Sequence, residues 1–116
     1  MVVDDTFVTR NILKDILCQG GHEVVAEATN GEDAISKYET YQPDLVTMDI
    51  TMPIMDGIEA TRRIVNDYPD AKIVMISALG TEKVVYQAIK SGARNYIVKP
   101  FDKESTLVTV RSVLEQ

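Results

Sequence analysis

The feature that most constrains this chain is an alternation, repeated five times, between a short apolar run and a stretch of helical periodicity. A continuous apolar run of four or so residues suits a strand buried on both faces, and a sheet with both faces covered needs helices above and below it. Met1 to Val3 forms the stub of a first strand. From Thr6 to Gln19, residues Val8, Ile12, Leu13, Ile16 and Leu17 share one helical face, and Gly20 supplies a C-terminal cap. Glu23 to Ala28 gives the second strand. Asn30 caps a helix that carries Ala34, Ile35 and Tyr38 and stops before Pro43. Leu45 to Met48 gives the third strand. Ile58, Thr61, Arg62 and Val65 lie on or beside one face of a third helix ending near Pro69, and Ile73 to Ile76 is the fourth strand. Val84, Val85, Ala88 and Ile89 mark a fourth helix closed by Gly92. Tyr96 to Val98 is the fifth strand, and Asp102 caps a last helix with Leu107, Val110 and Leu114. Strict alternation predicts an α/β fold, a doubly wound five-stranded parallel sheet, in one domain over 1–116.

Charge and composition narrow the function classes. The net charge is −6, which argues against nucleic-acid binding by this segment, because phosphate backbones demand basic patches. It argues equally against a role at an anionic membrane surface. No apolar run approaches the ~20 residues of a membrane-spanning helix. Acidic Asp4 and Asp5 stand where a secretory leader would be basic, so the expected location is cytoplasmic. A single cysteine, Cys18, allows no intrachain disulfide and is expected to be core or partly buried filler, and a lone histidine, His22, makes no zinc site.

Chemistry collects at the strand ends. The first strand ends in Asp4-Asp5, the third in Asp49, the fourth in Ser77 and the fifth in Lys99-Pro100. Ligands of open α/β sheets bind outside the carboxyl ends of the strands. Each residue alone reads as a turn or cap. Together they place three carboxylates, a hydroxyl and an ammonium around one shallow site. Crowded carboxylates need counter-charge beyond one lysine. A divalent cation with a preference for oxygen, Mg²⁺, fits the remainder. A carboxylate beside such a cation and a lysine suits phosphoryl transfer, with the carboxylate as nucleophile and an acyl phosphate as product.

Asp4-Asp5, Asp49-Ile50-Thr51-Met52-Pro53 with Asp56-Gly57, Ser77-Ala78 and Lys99-Pro100-Phe101 together resemble bacterial response-regulator receiver domains, most nearly the stand-alone chemotaxis regulators of the CheY type. The likeness covers nearly the whole chain in order and spacing. It implies a flavodoxin-like (βα)5 fold with strand order 2-1-3-4-5. It implies that Asp49 accepts a phosphoryl group from a sensor histidine kinase or a small phosphodonor. Mg²⁺, with Mn²⁺ able to substitute, would be bound by Asp5, Asp49 and the backbone carbonyl of Thr51, with Asp4 acting through the metal's water shell. Lys99 would pair with Asp49 and then with the phosphoryl group, Ser77 would donate its hydroxyl, and Tyr96 would move with the state. The resemblance further implies a surface of fourth helix, fifth strand and fifth helix that controls a target such as the flagellar switch. It implies a monomer that phosphorylation can bring into dimers, acting as a switch rather than a turnover enzyme. It favours a cis Lys99–Pro100 bond. The first strand is short for the family, and the last helix is brief. The resemblance implies that Leu79 and Thr51 occupy positions that vary in the family and tune phosphoryl lifetime.

Besides a degenerate receiver that binds partners without phosphorylation, which the intact acidic pair, Asp49 and Lys99 count against, two other readings compete. One is the receiver half of a transcription regulator with a DNA-binding output domain. The other is a phosphatase of the haloacid-dehalogenase type, which also uses a strand-end Asp and Mg²⁺ but needs a second Asp two residues after the nucleophile, where this chain has Thr51.

Overall fold

A computed structural model describes residues 1–116. Ten elements alternate: β1 (Val2–Val3), α1 (Phe7–Gln19), β2 (Glu27–Ala28), α2 (Gly31–Tyr41), β3 (Val46–Asp49), α3 (Gly57–Asp67), β4 (Ile73–Ser77), α4 (Glu82–Lys90), β5 (Asn95–Val98) and α5 (Lys103–Leu114). All pairings are parallel, in the order β2-β1-β3-β4-β5. The alternating pattern is thus realised as the expected doubly wound sheet. No helix is long and apolar enough to cross a membrane.

The strands point alternate residues to opposite faces, so each apolar run feeds two cores. Val3, Met48 and Met75 join the larger core with Ala34 and Tyr38 of α2, Ala60 and Ile64 of α3, and Ala88 of α4. Val2 and Ile76 join the smaller one with Leu13 and Leu17 of α1 and Val110 of α5. The central β3 and β4 are buried throughout, and Asp49 and Ser77 are their polar ends.

Local signals fix the helix starts. Asn30, Asp56 and Asp102 accept hydrogen bonds from the backbone N–H groups of Asp33, Glu59 and Ser105 at 2.9, 2.9 and 2.7 Å. Gly92 closes α4 at φ 118°, where a Cβ would meet the Val65 side chain at 2.9 Å.

Several expectations shift. The second strand is Glu27–Ala28 rather than Glu23–Ala28. A ladder needs a partner, and Val2, the first paired residue of β1, already stands opposite Glu27. In α1 the buried residues are Leu13, Ile16 and Leu17, whereas Val8 and Ile12 are 63% and 49% exposed. Val8 lies in the first turn, and Ile12 is one position off the buried line. In α3 the buried face is Gly57, Ala60, Thr61 and Ile64, while Arg62 is exposed and pairs with Glu59. Cys18 is exposed, neither core nor partly buried filler. It is one residue past Leu17, on the solvent side of the same turn.

Candidate functional site

The parallel register brings the strand ends into one row. Val3 pairs with Met48, so Asp4 and Asp49 come next to each other as the chains leave β1 and enter the last position of β3. Asp49 pairs with Ile76, so Ser77 follows one residue later on β4. Ser77 pairs with Val98, and Lys99 follows at once, its N–H donating to the Ser77 carbonyl at 2.8 Å. The Lys99–Pro100 bond is cis.

At the centre stands the Lys99 ammonium. Its Nζ lies 3.2 Å from Asp4 Oδ2 and 3.3 Å from Asp49 Oδ1. Asp4 and Asp49 are only 3% and 7% exposed. Asp5 is exposed, yet it offers a carboxylate oxygen to the same group: the ligand atoms of Asp4, Asp5 and Asp49 all lie within 4.8 Å of one another. Three carboxylates therefore face one ammonium. Burial pushes the Asp49 carboxyl up to about 6, helped by the Asp4 charge and resisted by Lys99. Burial opposes the charge on Lys99, but the carboxylates of Asp49 and Asp4 outweigh it and hold that amine above the ordinary lysine range. The excess negative charge and the all-oxygen donor set fit a divalent cation such as Mg²⁺.

The two buried carboxylates are used differently. Asp4 Oδ1 accepts from the Thr6 N–H at 2.8 Å and Oδ2 from Lys99. Asp49 Oδ1 accepts from Lys99, while no protein hydrogen bond reaches its Oδ2. Thr51 is exposed two residues beyond Asp49. Gly57 packs behind Asp49, its N–H donating to the Ile50 carbonyl at 2.8 Å. A Cβ there would fall 2.0 Å from the Asp49 carbonyl oxygen, so glycine is what lets α3 start against the end of β3. Sequence reasoning noted Asp56-Gly57 as a motif without seeing this contact; a glycine one residue past a helix cap was the available signal.

Ser77 and Tyr96 share no hydrogen bond. They meet through one residue, Leu79: Ser77 Oγ accepts from the Leu79 N–H at 3.1 Å, and the Tyr96 hydroxyl donates to the Leu79 carbonyl. The Tyr96 ring, partly buried, packs against the larger core. Sequence reasoning put these two residues on adjacent strands but missed the link, because both bonds go to backbone atoms of a residue chosen for neither.

A family model, the response regulator receiver domain, matches residues 1–111. The chain belongs to the response regulator receiver family. This receiver is 47% identical over 113 residues to the chemotaxis protein CheY of Thermotoga maritima, covering 97% of its own length and 94% of that protein. It is 48% identical over 114 residues to CheY of Bacillus subtilis, covering 98% and 95%. It superposes with a TM-score of 0.93, at 41% identity, on CheY in a crystal structure of the CheX–CheY–BeF3–Mg²⁺ complex of Borrelia burgdorferi, covering 97% of this chain and 85% of that one. Receiver domains work in phosphorylation-dependent signalling, not as turnover enzymes, and bind Mg²⁺ at an acidic pocket.

The raised Asp49 pKa makes a stability prediction. A carboxyl that binds its proton more tightly folded than unfolded favours the folded state below its unfolded pKa, the ordinary value of 3.8. That contribution is lost as pH rises through about 6. Asp49→Asn removes the titration. Without divalent cations, urea unfolding should show the variant more stable than wild type above pH 6, by on the order of 1–2 kcal/mol, with the gap shrinking toward pH 4. A gap that stays constant across this range would mean that Asp49 is not destabilised by its surroundings.

Proposed function

We propose that this receiver is a phosphorylation switch of the CheY kind in chemotaxis, with Asp49 as its phosphoryl acceptor. One observation carries the choice of Asp49 over its neighbours. Asp4 has both carboxylate oxygens engaged, and Asp5 is exposed, whereas Asp49 is buried, basic for a carboxylate, and retains an unengaged Oδ2. The CheY relatives support the setting, since this chain spans 94–95% of two of them. Identity of 47–48% to these chemotaxis proteins, against 32% and 28% to receivers of a LuxR-family regulator and of NarL, favours the chemotaxis setting over the receiver half of a transcription factor.

The phosphodonor would be a phosphohistidine of a sensor kinase or a small acyl phosphate. Asp49 Oδ2 attacks the phosphorus, the bond from phosphorus to the donor breaks with its electrons leaving on the donor, and an acyl phosphate remains on Asp49. Asp5, Asp49 and the Thr51 carbonyl would hold Mg²⁺ or Mn²⁺, with Asp4 one water further out. When bound, the cation neutralises negative charge that develops on the transferred group. Lys99 changes partners, from the carboxylate to a phosphoryl oxygen. Hydrolysis later returns the carboxylate and inorganic phosphate.

The readout follows from the Leu79 link. In the present state the Ser77 oxygen is held by the Leu79 N–H and the Tyr96 hydroxyl by the Leu79 carbonyl. A phosphoryl oxygen is a strong acceptor that draws the Ser77 hydroxyl toward Asp49. Releasing Leu79 loosens the β4–α4 connection and frees the Tyr96 ring to take the vacated space. The exposed Tyr86 and Ile89 of α4 and Val98 of β5 then present a changed surface to the target protein, the flagellar switch in this reading. The shift is bounded by how differently the phosphoryl group interacts with the two states.

With Mg²⁺ and acetyl phosphate, intact-mass spectrometry should show one phosphoryl group added to wild type and none to Asp49→Asn. Equal incorporation in both would remove Asp49 from the role. For the switch, beryllofluoride should shift the NMR signals of Tyr96 and α4 in wild type, and clearly less in Ser77→Ala. Full shifts in the variant would disprove the route through Ser77, whatever the fate of Asp49.

A further inference from the structure

Asp5 is the one carboxylate of the cluster whose own side chain nothing holds. It is exposed, and no protein hydrogen bond reaches its oxygens. Its aim is therefore set by the backbone that carries it, and that backbone is gripped from an unexpected side. Arg10, one turn into α1, donates through Nη1 to the Asp4 carbonyl at 2.8 Å. This carbonyl belongs to the peptide that joins Asp4 to Asp5. Through Nε the same guanidinium meets Glu27 Oε1 at 3.2 Å. Glu27 is fixed in turn: it sits in β2 opposite Val2, and its other oxygen takes Lys14 Nζ at 2.9 Å. The Arg10 side chain is 13% exposed, and its guanidinium lies 5.7 Å from the centre of the Phe7 ring. These contacts leave it little freedom.

We propose that Arg10 is a positioning residue for the cation site: clamped by Glu27, it fixes the Asp4–Asp5 peptide plane and thereby aims the Asp5 carboxylate at the group shared with Asp4 and Asp49. The inference rests on the proposed role of Asp5 as a cation ligand. A fork is required, because one guanidinium must reach two acceptors in fixed directions, which a lysine ammonium on a flexible stem does not reproduce.

Charge and geometry predict opposite signs here, which makes the role testable. Deleting a positive charge near three carboxylates, taken alone, tightens cation binding. Losing the clamp weakens it, and supports of metal ligands are commonly worth tenfold or more in affinity. The measurement is Mg²⁺ titration by NMR, following the amides of Asp5 and Asp49, on wild type, Arg10→Ala, Arg10→Lys and Asp5→Ala. Melting curves without Mg²⁺ confirm that each is folded at the working temperature. Arg10→Ala should bind Mg²⁺ about tenfold more weakly. Arg10→Lys, with its charge intact, should also bind more weakly than wild type. In the cation-free state of either variant, the Asp5 amide should exchange faster with solvent. Should Arg10→Ala fail to fold, Arg10→Lys decides. Unchanged or tighter binding in the folded variants overturns the clamp while leaving the site intact. Undiminished binding in Asp5→Ala, or none in wild type, brings down the cation-site reading and the clamp with it.

Discussion

The site is organised around a charge balance that does not close. One lysine ammonium is held between two buried carboxylates, at 3.2 Å from one and 3.3 Å from the other, with a third carboxylate alongside. Buried charges survive when they are paired, and here the pairing is incomplete. Lys99 has two partners and Asp49 has half of one. Burial first, and the Asp4 charge after it, push the Asp49 carboxyl up to about 6, while the Asp49 and Asp4 carboxylates hold the Lys99 amine high against its own burial. Relief has to come from outside the chain, and a divalent cation would supply the missing positive charge. In the proposed function this is what keeps the receiver responsive. A site fully neutralised by its own residues would have little to gain from a cation and no oxygen to offer a phosphoryl group.

Everything around the site serves to hold that unsatisfied arrangement in place. The cost is spread over a sheet whose β3 and β4 are buried throughout and packed on both faces. Burial of this kind is worth roughly 25 cal/mol per Å² of apolar surface, enough in aggregate to carry a few kcal/mol of local repulsion. Close backbone approaches add rigidity. Gly57 lets α3 press on the end of β3, and the Gly31 N–H ties the β2–α2 turn to the Met55 carbonyl at 2.8 Å. The connection between site and surface is built differently. It runs through two single hydrogen bonds on Leu79, in the exposed segment between β4 and α4. A link of that strength, on the order of 1 kcal/mol per bond, can be exchanged for a better acceptor without disturbing the sheet.

Much of this was legible in the sequence, for reasons that can be named. The fold was visible because doubly covered strands must be continuously apolar, as Ile73 to Ile76 is, and because Asn30 and Asp102 announce helix starts by their own chemistry. That Asp4, Asp49 and Lys99 meet, with Ser77 along the same sheet edge, was legible because strand ends in a parallel sheet share one edge. What stayed hidden depended on partners far apart in sequence or on backbone atoms. Arg10 and Glu27 are 17 positions apart and belong to elements read separately. The Leu79 link uses peptide groups that every residue has. The exact faces of α1 and α3 slipped by a position, because Arg62 and Ile12 fit a helical stripe about as well as the residues that are buried. The short β2 was overextended because apolar residues such as Val24 and Val25 favour a strand whether or not a neighbour is there to pair.

The central claim is that, of three carboxylates within reach of one another, Asp49 is the one that takes the phosphoryl group. Borohydride reduces an acyl phosphate on aspartate to homoserine, leaving a permanent mark at the modified position. The measurement is peptide sequencing by mass spectrometry after the Mg²⁺-loaded protein has been phosphorylated and reduced. The account predicts homoserine at position 49, with Asp4 and Asp5 unchanged. Homoserine at position 4 or 5, or its absence from a protein that has demonstrably gained phosphate, would contradict it.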